Sequence, residues 1–289
     1  MDNQNTELIL RDIEDKLFSR LHSFIDPEVI AVLDDPNAEQ RDIEQLKTKI
    51  DPEIIGRLFS MANAAYSGKL RSGALNNFYE VVFRLGVEHT KLFIIFFSLP
   101  QVGGDREGDV LIAKSFARYI VAGTLFAREF RLSAREKKEL ELGALLYEVG
   151  KILFRSFQHI FPYEYLEHGI DDAFVSAHHR RLGIYFCKTF ALPEYLPEII
   201  DAQYFTLETE YISISGVVMM THFLVEAIFS ASANRLIIQS PMPDSLDVLT
   251  HSLGVVIRDL FHSAGMSKYL VIHTALTPIQ LDNKVHTII

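Results

Sequence analysis

Two short sequences near the N-terminus most constrain what this chain can fold into. Asp26-Pro27-Glu28 and Asp51-Pro52-Glu53 each set an acid, a proline and a second acid in consecutive positions. An Asp side chain accepts hydrogen bonds from the open amides of a helix start. Proline suits the first helical position, and a Glu in the first turn is favoured by the helix dipole. Both sequences therefore predict helix starts. Apolar residues recur at helical spacing around them: Leu8, Ile9, Ile13, Leu17, Leu21 and Phe24 predict an amphipathic first helix. Gly68 and Gly73 bracket a polar turn, and a helix from about Asn76 is predicted to stop at Leu85-Gly86, with Gly86 as the left-handed terminal residue. Ser133-Ala134-Arg135-Glu136 matches a capping box opening a helix that runs to Tyr147. Pro162, Pro193 and Pro197 punctuate later helices. No stretch alternates with period two between hairpin turns, so the predicted fold class is all-α, with little or no sheet.

The most loop-like segment, Val102 to Gly108, predicts a boundary between two helical subdomains, residues 1–102 and 103–240. Residues 241–289 form a C-terminal extension in which Leu246, Leu249, Leu253, Val256, Ile257 and Leu260 suggest one more helix. Two apolar runs need a membrane test. Leu92 to Leu99 is too short to span, and Tyr211 to Ser230 carries His222 and Glu226, which are costly in hydrocarbon. A buried core helix is expected there, and no membrane partner. The N-terminus has no signal-peptide pattern, and the single cysteine, Cys187, fits a reducing cytoplasm. Cys187 lies in an apolar stretch and reads as a buried, inert thiol.

The formal net charge of −10, from 28 Lys and Arg against 38 Asp and Glu, argues against a nucleic-acid partner. The densest basic group is Arg128, Arg131, Arg135, Lys137 and Lys138. It alternates with Glu129, Glu136 and Glu139 and reads as a solvated helix face. No phosphate loop, nucleophile elbow or Cys-rich metal motif is present, and no cofactor is expected.

Three motifs then converge on one family. Lys49 to Gly68 contains the Asp-Pro start and Leu58-Phe59-Ser60-Met61-Ala62-Asn63-Ala64-Ala65-Tyr66-Ser67-Gly68, followed by Val81-Val82-Phe83-Arg84-Leu85-Gly86. Gly143-Ala144-Leu145-Leu146-Tyr147-Glu148-Val149-Gly150-Lys151 is the second. The third is His179-Arg180-Arg181-Leu182-Gly183 with Phe190-Ala191-Leu192-Pro193. In order and spacing these resemble the HDOD family, bacterial signalling domains related to HD-type metal-dependent phosphohydrolases. The resemblance covers roughly residues 10 to 230. Asn63 precedes a turn where its side chain can bond backbone, and Asn63, Tyr66 and Gly68 mark a candidate partner-contact turn.

That resemblance also shows what is missing. In the wider superfamily, a His on one helix, a His-Asp pair on the next and an Asp on a later helix hold a metal that activates water. Here those positions fall at Lys114, Tyr147-Glu148 and His222. An ammonium repels a metal, and a protonated phenol binds one poorly. The expected outcome is an ion pair of Lys114 with Glu148, with Tyr147 packed over it, in a pocket that His179 and His222 also line. No metal ligand and no catalytic residue is assigned. The resemblance implies a non-enzymatic, cytoplasmic signal-transduction module acting through a regulatory protein partner or a small bound ligand. The alternative is a degenerate phosphohydrolase that keeps nucleotide or phosphoester binding, or weak metal-dependent activity.

Overall fold

In the computed structural model, which describes residues 3–64, 75, 77–102, 106–202 and 213–230, the helix punctuation acts as the sequence predicts. The first helix, α1, spans Asn3–His22. Helix α2 (Pro27–Asp34) opens on Asp26, whose carboxylate accepts from the Glu28 amide at 2.9 Å. A short α3 (Gln40–Leu46) follows. Helix α4 (Pro52–Ala64) opens on Asp51, which takes the Glu53 amide at 2.7 Å. The two starts are tied together by Lys49, which pairs with Glu28 and lies 4.0 Å from Asp26. Helix α5 (Phe78–Leu85) ends at Gly86, whose φ of 86° is in the region L side chains avoid. Its amide closes the helix onto the Val82 carbonyl at 2.8 Å.

Helix α6 (Val87–Val102) carries the apolar run from Leu92 to Leu99. That run has no polar face because α6 is central: α1, α2, α4, α5 and α10 (Val149–Ile160) all pack on it. Helix α7 (Arg106–Val121) passes through a π-turn at Ala122–Phe126 into the short α8 (Ala127–Glu129). Helix α9 (Ala134–Leu146) starts on the reciprocal capping box of Ser133 and Glu136. The remaining elements are α11 (Pro162–Glu167), α12 (Asp172–Thr189), α13 (Tyr195–Asp201) and α14 (Ile214–Ser230). No strand occurs among the described residues, and the fold is all-α.

The described chain divides into two units. Of the described residues, those up to Asp109 and Glu148–Pro193 form one, and Val110–Tyr147 with 194–202 and 213–230 form the other. The sequence placed one cut after residue 102; contacts instead place the first crossing at Asp109 and return Glu148–Pro193 to the first unit, because α10 and α12 pack with α1 and α6. Residues 231–289, with the predicted C-terminal helix, lie outside the described residues.

Within the first unit, α10 and α12 form the most intimate pair. They approach so closely that a Cβ on Gly150 would stand 2.5 Å from the His179 carbonyl carbon and 3.0 Å from its Cα. Around this crossing lie Ile152, Leu153, Phe154, Phe157, Leu182 and Phe186, all buried. Helix α1 adds Ile9, Leu10, Ile13, Leu17, Phe18 and Leu21. The apolar stripe read from the sequence departs at both ends, since Leu8 is 61% exposed and Phe24, past the end of α1, is exposed too, while Leu10 and Phe18 are buried. Arg181 fastens α12 to α1, with its guanidinium on Glu7 at 3.0 Å and on Glu14 at 3.0 Å.

Within the second unit, α9 is central, touched by the π-turn, α8, α13 and α14. The apolar stretch ending at Ser230 becomes α14, with Val217, Val218, Leu224 and Val225 buried. No helix among the described residues is long and apolar enough to cross a membrane.

Candidate functional site

The residues that the superfamily pattern singles out lie on α7, on α14 and at the junction of α9 with α10. In the second unit, α7 carries Lys114 and, one turn later, Arg118. The Lys114 ammonium donates to Glu226 of α14 at 2.7 Å and lies 5.9 Å from the centre of the Phe229 ring. Glu226 follows His222 by one turn of α14, so both side chains leave the same helix face. The His222 ring in turn lies 5.0 Å from the Tyr147 ring, inclined at 46°. Three of the predicted residues, Lys114, Tyr147 and His222, thus belong to one cluster, with Glu226 and Phe229 completing it.

Arg118 is fully buried. Its guanidinium donates to the Ala144 carbonyl at 3.2 Å and to the Ser115 hydroxyl at 2.8 Å. Ala144 lies in the last turn of α9, where carbonyls lack helical partners and the dipole favours a cation. Arg118 therefore fixes the helix end that delivers Tyr147, the residue after Leu146. The sequence reading missed both Arg118 and Glu226. Their signals were present: Arg118 is four residues after Lys114, and Glu226 four after His222.

In the first unit, Glu148 stands at the N-terminus of α10, where an anionic side chain is favoured by the dipole. Glu148 is buried, and its carboxylate pairs with Lys151 one turn on. Lys114 of the second unit pairs with Glu226, and Glu148 of the first unit pairs with Lys151. His179 is buried in the same unit as Glu148, its Nδ1 against the carbonyls of Val175 at 3.1 Å and Ser176 at 3.0 Å of its own helix. Those bonds, and the approach of Gly150 to its backbone, give His179 a packing role at the α10–α12 crossing.

Asn63 behaves as its position before a turn predicts. Its side-chain oxygen accepts the Leu75 amide at 3.3 Å, joining the end of α4 to the entry of α5. Tyr66 and Gly68 lie outside the described residues. Cys187 is fully buried, and desolvation pushes its thiol up to about 12.

The second unit contributes two side chains of metal-ligating type, the imidazole of His222 and the carboxylate of Glu226, and Lys114 engages the carboxylate.

Comparison with known proteins agrees with this architecture. The chain is similar to a solved protein from Shewanella amazonensis SB2B whose description assigns it, provisionally, to the metal-dependent phosphohydrolases. That likeness has a TM-score of 0.54 at 14% identity, covering 92% of this chain and 99% of that one. It is also similar to an HDOD domain protein of unknown function from Geobacter sulfurreducens, with a TM-score of 0.46 at 18% identity, over 90% of this chain and 96% of that one. No curated protein matches. The family model for the HDOD domain matches residues 25–205, and the chain belongs to the HDOD domain family, which is related to the HD phosphohydrolases.

Proposed function

We propose that this protein is a non-catalytic regulatory module that works through contacts with a partner protein. The observation that carries this is the Lys114–Glu226 ion pair. A fixed ammonium stands where the superfamily pattern asks for a neutral imidazole, and it is bonded to the nearest carboxylate of α14. Both ends of the pair are partly shielded, with side-chain exposures of 19% and 31%. A metal ion entering there would have to displace a tethered cation of the same sign. Tyr147 supports the same reading, because it replaces a ligand by a ring packed against His222. Arg118 holds the α9 terminus through the Ala144 carbonyl.

The test combines metal analysis of the purified full chain with hydrolysis of bis-p-nitrophenyl phosphate in the presence of Mn²⁺. Metal well below one ion per chain and no turnover above buffer support the module. Turnover that Glu148→Ala abolishes would establish a surviving phosphohydrolase and end this proposal.

A further inference from the structure

Helix α11 carries apolar residues that the fold does not bury. In Phe161-Pro162-Tyr163-Glu164-Tyr165-Leu166, five of six residues are apolar or aromatic, a composition suited to a core helix. Yet α11 contributes no buried side chain. Tyr163 is 84% exposed and Leu166 76%. Their spacing of three puts them on one face of the helix.

The attachment of α11 to the rest of its unit is polar. Glu164 lies 3.7 Å from Lys16 of α1, and His168, just past the helix end, lies 2.9 Å from Asp12 of α1. Phe161 rests on Phe157 at the junction with α10, and Gly169, at φ 61°, turns the chain toward buried Ile170. These contacts fix where α11 sits and leave Tyr163 and Leu166 with no part in folding. Two large apolar side chains held side by side in water, on a helix fixed by its flanks, are a ready anchor for another surface.

Charge selects the kind of surface. Residues 161–173 contain Glu164, Glu167, Asp171 and Asp172 and no Lys or Arg; of the cations beside them, Lys16 is taken up by Asp12 and Glu164, and Arg155 donates to Gln158. The one histidine, His168, is taken up by Asp12. Phe83 of α5 is comparably exposed, but it stacks on Tyr79 and is followed directly by Arg84, so its surroundings carry no single sign.

We propose that the outer face of α11 docks a partner protein, with Tyr163 and Leu166 entering an apolar strip rimmed by Lys and Arg. This rests on the reading of the chain as a module acting through protein contacts, and it names the surface and the chemistry of that partner. Acidic residues around an apolar anchor speed and orient the encounter with a basic partner.

The experiment selects random peptides displayed on phage against the immobilised full chain and measures the affinity of the enriched peptides. The expected peptides combine aromatic or aliphatic residues with Lys or Arg. Their binding should fall about 30-fold or more in Tyr163→Ser/Leu166→Ser. It should weaken as NaCl rises from about 50 mM to about 500 mM. A second variant, Glu167→Lys/Asp172→Lys, keeps the apolar pair and should lose affinity at low salt only. Circular dichroism should match wild type in both, and the melting temperature should stay within about 4 °C, because neither side chain pair is buried and the charge reversal at Asp172 affects only the first turn of α12. Three results overturn the proposal: no enriched peptide, enriched peptides that lack basic residues, or equal binding to the Tyr163→Ser/Leu166→Ser variant. In the last case docking occurs elsewhere, and the regulatory reading survives. Self-association in sedimentation that the same variant abolishes would make the occupant a second copy and would also overturn it. Failure of the regulatory reading itself appears separately, as phosphodiesterase turnover.

Discussion

Replacing Gly150 by alanine puts the α10–α12 crossing to a direct test. The added Cβ would stand 2.5 Å from the His179 carbonyl carbon and 3.0 Å from its Cα, against 3.4 Å or more for ordinary contact. The obstacle is backbone, so no rotamer change relieves it. Helix α12 must withdraw by about 1 Å, loosening the layer that Leu153, Phe157, Leu182 and Phe186 share. Overpacking a core costs about 1–3 kcal/mol where side chains can adjust, and backbone collision belongs at or above the top of that range. Alanine returns up to about 1 kcal/mol through its better helix propensity. The net expectation for Gly150→Ala is a loss of about 2–4 kcal/mol. Gly56 is the internal control: it is also helical, but a Cβ there meets nothing within 4 Å, so Gly56→Ala should gain about 0.5–1 kcal/mol. Urea unfolding followed by circular dichroism measures both. Equal and opposite m-value-independent shifts in midpoint are not required; the signs are. A Gly150→Ala protein as stable as wild type would refute the close-approach account.

Three further outcomes follow from particular contacts. A double-mutant cycle of Lys114→Met and Glu226→Gln should give a coupling of about 1 kcal/mol, since the pair is only partly shielded, and a coupling near zero would remove its structural role. Asn63→Ala should cost about 1 kcal/mol and speed hydrogen exchange at the Leu75 amide selectively; unchanged exchange there would show that the bond is not made in solution. Cys187 should resist iodoacetamide at neutral pH until the protein unfolds. Its raised pKa also means that the folded state favours the neutral thiol. That contribution is complete below the ordinary thiol value of 9.0 and is lost as pH rises toward about 12, so Cys187→Ser should flatten the alkaline fall in stability over that window.

How much of this was legible beforehand differs between fold and site. Helix starts and stops at Asp26, Asp51, Gly86 and Ser133 are local chemistry. Each side chain or backbone preference acts on amides within a few residues, so the symbols suffice. Asn63 was legible for the same reason, although its acceptor role reaches twelve residues along the chain. The loss of metal-ligand types at Lys114 and Tyr147 was equally plain from residue chemistry. The partner of Lys114 was not. Glu226 lies 112 residues away, and one glutamate among many carries no mark of the position that α7 and α14 give it. Arg118 shows the same limit, because only the packing of α7 against the end of α9 explains a fully buried guanidinium.

The sequence by itself determined that this chain is helical and where most helices begin and end, because caps, prolines and apolar periods act over one or two turns; its family came from the resemblance of three motifs. Tertiary structure alone decided what the same symbols mean at a distance. Gly56 and Gly150 are both helical glycines, yet one faces open space and the other the backbone of α12. Leu166 and Leu182 are both helical leucines, yet one stands in water and the other in the core. Burial and close approach are properties of pairs of elements, fixed only when the helices meet.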